Sequence, residues 1–76
     1  MEVTLTVWVI YRHPSDYPDK FVLRPQMVVR GIGEPVKSHQ CWTADTLGQV
    51  RRFLPPGLTC LGRCPEDAPP IVETWI

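Results

Sequence analysis

Apolar and polar positions alternate from Val3 through Tyr11, and a period of two carried by β-branched and aromatic residues predicts a β-strand. Val3, Leu5, Val7, Val9 and Tyr11 share one face of it. Thr4 and Thr6 begin the other face, which turns apolar at Trp8 and Ile10. A strand that is apolar on both faces is covered on both, which predicts a central place in a sheet. The extended pattern resumes over residues 21–30, with Phe21, Leu23, Met27 and Val29 on one side and Val22, Arg24, Gln26, Val28 and Arg30 on the other. Pro25 interrupts it with a residue that cannot donate to a ladder, so an edge strand, a bulge or two shorter strands is expected. Residues 12–19, with Pro14, Ser15, Asp16, Pro18 and Asp19, have the composition of a loop.

Residues 31–35 form a predicted turn, and residues 36–42 a third strand. Thr46 with Gln49 three positions later fits a capping box, in which hydroxyl and amide satisfy end donors reciprocally. Leu47, Val50 and Leu54, with Phe53 beside them, then make a helical stripe of about two turns, stopped by Pro55-Pro56-Gly57. Residues 58–61 and 71–76 supply two more strands, separated by a loop at 65–70. The predicted order is β-β-β-α-β-β in a single domain spanning residues 1–76. Its class is α+β: a small antiparallel or mixed sheet of four to five strands with one short helix packed on one face.

A chain of 76 residues has a thin stability margin. At 43% hydrophobic and 21% charged it nonetheless carries enough apolar material to fold. Eight basic residues balance eight acidic ones, which excludes a global field drawing the protein to nucleic acid or an anionic membrane. No apolar run approaches the roughly 20 residues of a membrane span, and residues 1–5 lack a signal-peptide pattern, so a cytoplasmic location is expected. Three cysteines without a secretion signal fit reduced thiols.

His39, Cys41, Cys60 and Cys64 make a set of four soft ligands, the count that suits zinc. Their spacing is not that of common knuckles or ribbons, so the expectation is ordinary thiols with no metal and no cofactor. His13, Ser15, Asp16, Tyr17 and Asp19 gather acid, base and nucleophile types in residues 11–19. Adjacent residues in a proline-rich loop are poorly placed to orient one another, so turn capping is the expected role and no catalytic residue is assigned. Arg51, Arg52 and Arg63 suggest a phosphate edge, but Gly31-Ile32-Gly33 fits no phosphate-binding fingerprint.

One short helix cannot cover both faces of such a sheet, and three tryptophans, Trp8, Trp42 and Trp75, must find cover. Exposed apolar area with Trp and Arg marks partner sites, so Trp8, Ile10, Arg24 and Arg30 are expected to line a protein-binding surface. Self-association through a sheet face or edge would meet the same need.

The segment Tyr11-Arg12-His13-Pro14-Ser15-Asp16-Tyr17-Pro18-Asp19-Lys20-Phe21-Val22-Leu23-Arg24 resembles small proteins found in bacteria and their phages. So does the run of Leu54-Pro55-Pro56-Gly57-Leu58, Arg63, Asp67, Pro70 and Ile71-Val72-Glu73-Thr74-Trp75, whereas Gly48 departs from the Glu-rich helix start of that group. The resemblance implies a setting in which small proteins of phages and mobile elements block host machinery, CRISPR effectors included. The expectation is therefore a non-enzymatic module that binds a host protein or complex by occluding its surface. A small nucleic-acid-binding or regulatory protein is the alternative.

Overall fold

A computed structural model of the chain describes residues 3–31, 33, 36–37, 40–63 and 70–76. β1 (Val3–Arg12) and β2 (Phe21–Val29) form the central pair, aligned along nearly their whole length. β3 (Val36–Lys37) and β4 (Trp42–Ala44) both pair with the outer edge of β2. On the other side β6 (Ile71–Trp75) pairs with β1, and β5 (Cys60–Gly62) with β6. The order across the sheet is β3-β2-β1-β6-β5, with β4 also on β2. Every described pairing is antiparallel. The short β1–β2 and β5–β6 connections allow little else for their pairs, since a parallel crossover needs a dozen or more residues.

β1 is central, as its two apolar faces predict: Ile10 on one face and Val9 on the other are both buried. Pro25 has a different outcome from the expected edge or break, because β2 runs through it unbroken inside the sheet. Arg12 donates its amide to Pro70 on the β6 side, so even-numbered β1 residues from Arg12 back to Trp8 turn their backbone groups away from β2. Pro25 stands opposite Trp8, and its nitrogen therefore turns to the outer edge, where no inner ladder bond is lost. The outer strand breaks at that place. β4 covers β2 as far as Leu23, β3 begins again at Gln26, and the register slips by two residues between them. The predicted third strand is thus two segments, and the observed order is β-β-β-β-α-β-β.

α1 (Leu47–Val50) is a single α-turn continued by a 3₁₀ turn at Arg51–Phe53. Thr46 caps it in an extended conformation, its Oγ1 accepting from the Gln49 amide at 3.1 Å. Val50 points inward and packs with Ile10 and Leu23 in a fully buried cluster. Trp8, Phe21, Trp42, Ala44, Leu47, Leu54, Val72 and Trp75 pack around it. So short a helix is held by this contact and its cap rather than by intrinsic propensity.

Truncating Ile10→Ala should cost about 2–5 kcal/mol in urea unfolding, a large share of a small domain's margin. Gly48→Ala should act in the opposite sense. A Cβ there meets nothing within 4 Å, so the change should raise stability by about 0.5–1 kcal/mol. A neutral Ile10→Ala would mean the helix is not seated on Ile10.

Candidate binding surface

Trp42, Leu23, Ile10 and Glu73 stand in one row across the sheet, each opposite the next. The helical segment ends above this row. Arg51 reaches Glu73, its Nε donating to Oε1 at 2.8 Å and its Nη2 to Oε2, a bidentate clamp. The indole Nε1 of Trp75 donates to the same carboxylate at 3.2 Å. Arg51 holds the Glu73 carboxyl below its usual pKa, and the indole bond works in the same direction, while burial opposes both.

At the other end of the row Phe53 stacks on Trp42, with ring centroids 6.5 Å apart and planes 26° apart. Trp42 in turn meets Trp8 at 5.9 Å. The three rings form a continuous aromatic run from the half-buried Trp8 to Phe53, which is 47% exposed. Arg52, beside Phe53, is exposed and forms no ion pair with a described residue. An exposed aromatic backed by two more rings is stiff and needs little ordering on binding.

The opposite face of the sheet carries a second assembly. Arg24 lies over the Tyr11 ring, 5.5 Å from its centroid, and is paired with Asp16. The Tyr11 hydroxyl accepts from Gln26 Nε2 at 3.1 Å. Burial disfavours the Arg24 cation, but the hydrogen bond and charge of Asp16 raise its pKa overall. Asp16 thereby fastens the β1–β2 loop to this face. Lys20 pairs with Asp45, Pro14 is buried, and the His13 ring meets Phe21 edge-on at 5.4 Å. Tyr17 lies near Cys41, whose thiol raises the phenol's pKa. His13 holds φ at +47°, a left-handed conformation that costs energy for a residue with a Cβ.

The four residues expected to line one surface do not come together. Ile10 is fully buried beneath the helix and presents nothing to a partner. The reason is that the helix covers the Trp8 and Ile10 face, whereas the sequence left open which face it would take. Trp8 is half-buried on that same side. Arg24 pairs with Val9 and so projects from the opposite face, engaged with Asp16. Arg30 follows β2 and is exposed. Phe53 was missed as a surface residue, although its place beside the helical stripe rather than on it was a visible signal.

Cys41 adjoins β4 at one side of the sheet, and Cys60 lies on β5 at the other. Four strand spacings make a separation of about 19 Å, too far for both to ligate one zinc ion. His39 and Cys64 lie outside the described residues, and among the described residues no three of His, Cys, Asp and Glu gather as a metal cluster. In the loop, Asp16 is engaged by Arg24, while His13 packs against Phe21. Among the described residues no helix is long and apolar enough to cross a membrane. Comparison of the chain with protein-family models, curated proteins and solved structures gives no match.

The Arg51–Glu73 clamp predicts a pH dependence. Because the folded carboxyl is held below the unfolded value of about 4.3, the clamp stabilises fully above that pH and is lost as pH falls through the folded value. Urea midpoints measured from neutral pH down to pH 3 should fall, and Glu73→Gln should flatten part of the fall. Identical profiles for the two chains would show that the clamp adds nothing.

Proposed function

We propose that this small α+β domain is a non-enzymatic protein-binding module whose contact surface is the Phe53 end of the aromatic run, with Trp42 behind it and Arg52 beside it. The observation that carries this reading is the 47% exposure of Phe53 while it stacks on Trp42. Aromatic and arginine side chains dominate binding hot spots, and a ring already braced by a neighbour loses little freedom when a partner covers it. This surface takes the place of the patch expected from Trp8, Ile10, Arg24 and Arg30.

The resemblance to small bacterial and phage proteins supports a narrower form of the reading. The partner is then a cytoplasmic host protein complex, and the chain inhibits a defence system of the CRISPR type by covering part of its surface. The equal numbers of acidic and basic residues favour occlusion over mimicry of a phosphate backbone.

Affinity capture from a host lysate, with and without nuclease, tests the proposal. Capture of a protein partner should survive nuclease and fall at least tenfold for Phe53→Ala and for Arg52→Glu, with urea unfolding still cooperative. Capture that disappears with nuclease would favour nucleic acid instead, and capture indifferent to both substitutions would sink this surface. The narrower form fails if the purified chain neither binds nor inhibits the host's CRISPR effector.

A further inference from the structure

The chain leaves the helical segment through a stretch of fixed, extended backbone. Leu54, at its start, has φ −68° and ψ 138°, the polyproline II conformation. The ring of Pro55 holds its φ at about −65°, and Pro56 after it confines its ψ to the same extended region. Pro56 and Gly57 then form the corner of a turn, with Gly57 at φ 83°. A proline second and a positive φ third define a type II turn, which gives that proline an extended backbone as well. Residues 54–56 thus make one turn of polyproline II helix, which takes about three residues. Both ends are held, since Leu54 packs against the core and Thr59 exchanges two backbone hydrogen bonds with Ile76. Between those anchors Pro55, Pro56 and Gly57 are exposed, close in sequence to the exposed Phe53.

We infer that this turn is a preformed ligand for a groove lined by aromatic side chains on a protein partner, which reads the two proline rings and the carbonyls beside them. The inference rests on the proposed binding role of the Phe53 surface and names the partner's chemistry there. Three observations favour that chemistry. Pro55 and Pro56 carry no N–H, so this part of the turn offers an anion no backbone donor. Polyproline II has no internal hydrogen bonds, and its carbonyls are left to accept from the indole N–H and phenol O–H groups of such grooves. The third is order: two rings fix the backbone and both ends are anchored, so little freedom is lost on binding. The groove belongs to another protein rather than to a second copy, because Trp8, Trp42 and Trp75 are packed against this chain's own core.

Decaproline, a peptide that enters such grooves whatever protein carries them, tests the inference when added to the lysate capture. At millimolar concentration it should lower capture by about tenfold, whereas a Gly-Ser peptide of the same length should not. Replacing both prolines, Pro55→Ala with Pro56→Ala, should lower capture as far while urea unfolding stays cooperative. If that double variant fails to fold, competition on the parent chain still decides. Capture that is indifferent to decaproline, or to loss of both prolines in a folded chain, overturns the inference. The binding role stands in that case if Phe53→Ala still lowers capture, and it falls together with the inference if the parent chain captures no protein.

Discussion

Burial of Ile10 against Leu23 and Val50 is the contact on which the rest of the structure depends. Ile10 belongs to the central strand, Leu23 to its neighbour and Val50 to the short helix, so one cluster ties the three elements together. A single α-turn is unstable alone in water, and it persists here because its inward residue completes a dry core. Once Val50 is fixed, the chain direction carries Arg51 toward β6 and Phe53 toward β4. The clamp on Glu73 and the ring stacked on Trp42 are thus two ends of one placement. The exposed position of Phe53 is a consequence of seating the helix, because the inward side of so short a segment is already taken by Leu47 and Val50.

Much of this architecture was legible in the residues. The period of two fixed β1 and β2, and Thr46 marked the helix start where its hydroxyl now caps the Gln49 amide. The face the helix would choose was not legible. Alternation in β1 yields an apolar set on each side, Val7 and Val9 or Trp8 and Ile10, and only the tertiary arrangement selects between them. The effect of Pro25 was hidden for a similar reason. Its cost depends on whether the nitrogen turns inward or outward, a matter of parity that becomes definite only with the Trp8 pairing.

The candidate site was legible in kind but not in position. Aromatic and arginine residues were the correct types to examine, but Trp8 and Ile10 went largely into the core, and Arg24 into fastening a loop. Residue type says what a side chain is able to contact. Which chains are left over after the core closes depends on register and on the direction of a seven-residue helical segment. The thiols show the same limit, since residue type alone does not tell that the sheet puts Cys41 and Cys60 at its two sides.

The β1–β6 ladder has a consequence for how the chain reaches this state. Trp8 pairs with Trp75, almost at the opposite end of the sequence, and Arg51 finds Glu73 only after β6 has docked. Closing that loop costs entropy before any contact rewards it, while the helix is too short to persist beforehand. The β1–β2 hairpin, with its compact loop, is the local unit able to form first, and the carboxyl-terminal strand must then be captured from a distance. Non-local pairing of this kind slows folding relative to a domain held by local contacts.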